Sequence, residues 1–128
     1  MIPGLMGKAE MVVKEEDLVS HLGNMEVHVL STPRLVQLME EAAIKAIEGM
    51  IPTGQLSLGT QVNIKHRSAT PLGMRVTGHA ILKEVQKNRL VFLIDAYDEK
   101  EKVAEGEHER VIVSREQFEH KLRQKKAS

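Results

Sequence analysis

The chain has 128 residues, enough for one domain with a core of its own. Equal counts of 18 basic and 18 acidic residues, with two Phe, one Tyr and no Trp, supply neither the field nor the stacking surface of a nucleic-acid binder. The absence of cysteine excludes disulfides, thiolate metal sites and a cysteine nucleophile. The opening MIPGLMGKAE lacks a basic and apolar leader pattern, and no apolar run could span a bilayer, so a soluble cytoplasmic protein without a membrane partner is expected.

Taken in order, Lys8 to Lys14 is a short strand candidate, and residues 1–7 are expected to fray. Glu15 to Leu30 carries little periodicity and contains Gly23-Asn24; it reads as a helical turn, a loop or a flap. Ser31 to Met50, STPRLVQLMEEAAIKAIEGM, is the one long helix. Ser31 or Thr32 can cap it, Pro33 suits its first turn, and Gly49 with Pro52 ends it. Spaced at 100° per residue, Arg34, Gln37, Glu41, Lys45 and Glu48 share a narrow polar arc, and apolar residues fill the broad remainder. So wide an apolar surface must be wrapped on most sides. Glu40 breaks the sorting, sitting in the apolar arc beside Val36 and Ile44: a boundary residue, a paired one, or a carboxylate held for chemistry.

Beyond Pro52-Thr53-Gly54 the hydrophobic period changes from 3.6 to 2. Leu56 to Ser68 alternates, with Leu56, Leu58, Thr60, Val62, Ile64 and His66 assigned to one face. Thr70 to Gly73 makes a turn; Arg75 to Gln86 and Leu90 to Tyr97 form a hairpin about Lys87-Asn88; Asp98 to Lys102 turns again. Val103 to Val113 is the last long strand, and Ser114 opens a short helix through Leu122, with residues 124–128 expected to fray. One apolar helix and four or more antiparallel strands in meander order give a single α+β domain over residues 1–128, its sheet curled around the helix. A curled sheet keeps an open edge, so pairing with a second copy, as a homodimer or a multiple of dimers, is expected.

Three polar groups point where apolar ones belong: the Thr32 hydroxyl, Glu40 and His66. With the free N–H groups and positive dipole end of the helix, they are the ingredients of hydrolysis by a general base. Each also has a plain structural role open to it: Thr32 as a cap, His66 as a satisfied core residue, Glu40 at a boundary. Gly106-Glu107-His108-Glu109-Arg110 puts Ala104, Gly106, His108, Arg110 and Ile112 on one face. There Arg110 could clamp an anion or form a cross-strand ion pair. The six His show no metal-ligand spacing such as HExxH, and no cofactor or metal is expected.

The blocks SLGTQVNIKHRSATPLGMRV (Ser57 to Val76) and GEHERVIV (Gly106 to Val113), behind a Thr-x7-Glu helix, resemble the fluoroacetyl-CoA thioesterase family of hotdog-fold proteins over roughly Thr32 to Gln124. The resemblance implies a dimer with acyl-CoA sites between chains, and catalytic Thr, Glu and His at Thr32, Glu40 and His66. It also implies that the Gly59 backbone holds the acyl group and that Arg110 lies near the site. CoA phosphates could meet Lys65, Arg67, Arg75 or the basic tail of a partner chain. Aromatic side chains in the flap before the helix help the family's namesake recognise the fluorinated group. Leu18 to Leu30 contains none here, so an acyl-CoA thioesterase for short chains is expected rather than a fluoroacetyl-selective one. A non-catalytic acyl-CoA-binding or sensing module is the alternative on the same fold.

Overall fold

The computed structural model describes residues 1–23 and 26–127; Asn24 and Met25, within the expected flap, and Ser128 lie outside the described residues. The long helix α1 spans Thr32–Ala46. Its cap is Ser31, whose hydroxyl oxygen accepts the Arg34 backbone N–H at 3.3 Å. That choice leaves the Thr32 hydroxyl uncommitted to the backbone. The helix ends short of Met50 because Ile47, Glu48 and Met50 close i→i−3 turns and Gly49 takes a left-handed φ of +79°.

Strands β1 (Met6–Val12), β2 (Gln55–His66), β3 (Arg75–Gln86), β4 (Arg89–Asp98) and β5 (Lys102–Ser114) form one antiparallel sheet in the order β1-β3-β4-β5-β2. The meander expected from sequence holds only for β3, β4 and β5. The chain crosses the sheet along α1, so β2 lands beside β5 and both β1 and β2 are edges. The sheet curls about the helix as expected, and Leu35, Leu38, Met39, Ala42, Ala43 and Ala46 of α1 are buried against Ala9, Val76, Leu82, Phe92 and Ile94.

Small residues let the helix lie directly on β1 and β3. A Cβ on Gly7 would stand 2.1 Å from the Ala42 carbonyl oxygen, and one on Gly78 would stand 3.3 Å from Leu38 Cγ. Packing on that side is close enough that α1 leaves the β5–β2 side of the concave face partly open. Val62, Ile64 and Ile112 there are half-buried, and Ile44 of the helix is 46% exposed.

The alternation assigned to β2 breaks at a bulge. Gly59 pairs with Arg110 but Gln61 pairs with Glu109, leaving Thr60 as the extra residue. Its hydroxyl donates to the Glu109 carboxylate at 2.8 Å. The bulge reverses parity, so Leu56 and Leu58 face away from Val62, Ile64 and His66, and Ser57 and Gly59 face the helix instead. Uninterrupted counting put His66 with Val62 and Ile64 correctly and put Leu56 and Leu58 on the wrong face.

Regular structure reaches into both terminal segments. Met6 and Gly7 already belong to β1, opposite Ile81 and Ala80. Helix α2 runs from Arg115 to Ala127, past Leu122, because KLRQKKA is built of good helix formers. The segment before α1 forms two 3-10 turns, Glu15–Asp17 and Val19–Leu22.

Gly7→Ala should therefore overpack the α1–β1 contact at a cost of about 1–3 kcal/mol. Melting curves should show a Tm lower by roughly 5–15 °C; an unchanged Tm would mean that the helix does not rest on β1.

Candidate active site

The N-terminus of α1 is fixed from three directions. Leu30 N–H donates to the Thr70 carbonyl at 2.9 Å, and Ser31 N–H donates to the Asp17 carbonyl at 2.9 Å. Arg34 Nε donates to the Asp17 carboxylate at 3.2 Å, and Asp17 is itself buried. The buried Thr70 hydroxyl in turn donates to Asp98 at 3.0 Å. What this framework holds still is Thr32. Its Oγ1 lies 2.8 Å from His66 Nδ1, at the far end of β2.

His66 is half-buried, and its buried Nε2 has no hydrogen-bond partner. Burial lowers its pKa, with the nearby Ser68 backbone opposing the shift. The ring is thus neutral near pH 7, and with its proton on Nε2 it accepts the Thr32 hydroxyl hydrogen at Nδ1. A hydroxyl and an unprotonated imidazole beside a helix N-terminus can move a proton while the helix end faces a developing oxyanion.

Glu40 belongs to a second cluster, farther along α1. Its Oε2 lies 3.5 Å from Arg110 Nη1 and 3.9 Å from His108 Nε2. The side chain is 36% exposed, toward the open part of the concave face. Of the three readings open to Glu40, the geometry makes it both a boundary residue and a paired one, and the carboxylate held for chemistry stays open. Arg110 is buried and doubly tied to Ser57, with Nε 3.0 Å from Oγ and Nη2 3.1 Å from the carbonyl. It bridges sheet to helix rather than making the cross-strand ion pair open to it. Gly59 sits against this cluster: a Cβ there would meet Glu40 Oε2 at 2.7 Å.

Each chain thus brings together Thr32 with His66, and Glu40 with Gly59 and Arg110. It does not join the two sets: among the described residues Glu40 contacts neither Thr32 nor His66. Glu40 lies eight positions along the helix from Thr32, a rise of about 12 Å. Of the cations offered for CoA, Arg67 pairs with Glu105 at 3.4 Å and Arg75 with Glu10 at 3.1 Å, while Lys65 is exposed. No group of three or more His, Asp or Glu among the described residues could hold a metal ion.

This geometry can be set beside known proteins. A family described as fluoroacetyl-CoA-specific thioesterase matches residues 13–116. A fluoroacetyl-CoA thioesterase of Streptantibioticus cattleyicolor is 38% identical over 97 residues, covering 76% of this chain and 70% of that one. The chain belongs to this family. Among solved structures, the fluoroacetyl-CoA thioesterase FlK superposes with a TM-score of 0.89 at 34% identity, covering 98% of this chain and 97% of that one. A variant of it carries fluoroacetate and CoA and superposes at 0.82, with 33% identity over 92% of this chain and 99% of that one. A hypothetical protein of Thermus thermophilus, described as a thioesterase superfamily member, superposes at 0.90 with 30% identity, covering 98% of this chain and 93% of that one. The fold shared with these proteins is the hotdog expected from the sequence.

Against the family pattern, two residues of the second cluster had no assigned part. Alternation puts His108 on the face of Arg110 in β5, and uninterrupted alternation puts Ser57 on the face opposite to Leu56 and Leu58. Ser57 was hidden by the bulge, which turns it inward. The signal for His108 was its i,i+2 spacing to Arg110, which in a strand puts both on one face.

If His66 is the working base, kcat/KM for thioester hydrolysis should rise with pH as the ring loses its proton. The midpoint should lie below ~6.5, the ordinary His value, because burial lowers the pKa. His66→Ala should cost about 10²–10⁴-fold. A midpoint above 7, or a fully active Ala variant, would remove His66 from the chemistry.

Proposed function

We propose that this protein is an acyl-CoA thioester hydrolase acting on short acyl chains, with Thr32, Glu40 and His66 as its working groups. The observation that carries this reading is the 2.8 Å contact of Thr32 Oγ1 with His66 Nδ1 at the N-terminus of α1, in a chain whose family is described by thioester hydrolysis. Water, activated directly or through the Thr32 hydroxyl, gives its proton to His66 as a C–O bond forms at the carbonyl. The C–S bond then breaks, and the proton passes to the departing CoA sulfur. The products are a free acid and CoA. The Gly59 backbone holds the acyl group beside Arg110. Glu40 orients His66, serves as a second base toward the attacking water, or is itself the nucleophile; in that last case its carboxylate displaces CoA to give an acyl–Glu40 anhydride, which the His66-activated water hydrolyses to free acid and Glu40. No cofactor enters the reaction.

The two clusters become one site in a homodimer. The free edge of β2 is twelve residues long and has no strand beside it among the described residues. Antiparallel self-pairing about its middle sets Ser57 and Gly59 of one chain beside Val62 to His66 of the other. Glu40, which packs near Gly59, then faces the Thr32–His66 pair of the partner. The partly open concave face then serves as the acyl-CoA cleft.

The described flap residues contain no aromatic side chain, and Leu22 there is 64% exposed. Selectivity for the fluorinated acyl group is therefore not part of this proposal. No helix among the described residues is long and apolar enough to cross a membrane. A cytoplasmic enzyme is part of the proposal.

Hydrolysis should be measured on a panel from acetyl-CoA to longer acyl-CoAs, with fluoroacetyl-CoA included. CoA release should be fastest for short chains. The fluoroacetyl to acetyl rate ratio should match the ratio for hydroxide attack on the same two thioesters. Binding without turnover would establish the sensing module instead, and a large enzymatic excess for fluoroacetyl would restore selectivity.

A further inference from the structure

A buried ionisable group beside Arg110 has no part in the proposed reaction. His108 is 1% exposed in the concave face of β5, its ring stacked on Phe92 with centroids 6.0 Å apart and planes at 27°. A histidine in such a place needs both ring nitrogens satisfied. Nδ1 lies 2.9 Å from the Gln61 carbonyl oxygen, just past the β2 bulge. A carbonyl only accepts, so Nδ1 carries the hydrogen and donates it. In a neutral ring Nε2 then has a lone pair to offer. Arg110 Nη1 lies 3.2 Å away and donates to it.

The guanidinium is thereby fixed on every side. Its Nε and Nη2 bond Ser57 at 3.0 and 3.1 Å, and its Nη1 is shared between His108 Nε2 and Glu40 Oε2. Resting on the reading of Glu40 as a working group, we infer that His108 is a positioning residue: a neutral acceptor that turns the Arg110 guanidinium so that Nη1 faces the Glu40 carboxylate. Burial first, and then the charge of Arg110, lower the pKa of His108 and keep it in the accepting form. Gly59 completes the device. Any side chain there would press on all three members, at 2.7 Å from Glu40 Oε2, 3.2 Å from His108 Cε1 and 3.3 Å from Arg110 Nη1.

The test uses three variants of the intact dimer. His108→Phe keeps the ring and its stacking but removes the acceptor. His108→Asn keeps a donor for the Gln61 carbonyl but cannot reach Arg110, and it serves if the Phe variant does not fold. His108→Gln carries an acceptor out to the Nε2 position. The first two should lower kcat about 10–100-fold with KM changed less than about threefold, the scale of a misoriented catalytic group. His108→Gln should recover most of the loss. In a Glu40→Gln background, removing the acceptor should cost nothing further, because the carboxylate it serves is gone. Unchanged kcat per folded dimer in the Phe or Asn variant, whatever the Tm, would overturn the inference. Equal losses in Gln and Phe, or full additivity with Glu40→Gln, would overturn it too. Retained activity in Glu40→Gln alone would instead remove Glu40 from the site, and the inference would fall with it.

Discussion

Glu40 lies eight positions along a rigid helix from Thr32, and most of the proposed site follows from that spacing. An α-helix rises about 1.5 Å per residue, so the two groups sit at different levels of α1, about 12 Å apart along its axis. No side-chain rotation within one chain closes that distance without abandoning the contacts both ends already make. Thr32 is bound to His66, and Glu40 faces Arg110 and His108. In the proposed dimer each chain therefore contributes two half-sites, with the free edge of β2 as the seam.

The polar clusters occupy the part of the concave face that the core does not need. On the β1–β3 side, Gly7, Gly78, Ala42 and Ala46 bring helix and sheet into backbone contact, and no space is left for chemistry. On the β5–β2 side the helix stands off, and buried Arg110 and His108 replace apolar residues. Buried polar groups are tolerated when their partners are complete. Arg110 meets that condition through Ser57, His108 and Glu40, and His108 meets it through Gln61 and Arg110. The buried Nε2 of His66 does not meet it, and that atom lies beside the proposed reaction centre.

Much of this was readable in the sequence, for physical reasons. The breadth of the apolar arc on Ser31 to Met50 required a wrapping sheet, and the switch to period 2 after Gly54 located the strands. Glu40 and His66 stood out because polarity and periodicity disagreed at those two positions. The bulge at Thr60 was not readable, since a single extra residue leaves both halves of β2 looking like one alternating strand. With it went Ser57, which parity counting turned outward. Strand order was hidden as well: β2 follows α1 in sequence but pairs with β5, because the crossover along the helix delivers it to the far edge. His108 was visible as a face position but not as an acceptor, because the Gln61 carbonyl that fixes its tautomer comes from another strand.

The shared site is tested most directly by complementation. Glu40→Gln and His66→Ala chains carrying different tags can be coexpressed and the mixed dimer purified by both tags. Each variant alone should be nearly inactive. In the mixed dimer one site collects both substitutions and the other collects neither, so the expected activity is about half that of the wild-type dimer. A mixed dimer as inactive as its parents would contradict the shared site and place Glu40 and His66 of one chain in the same reaction centre.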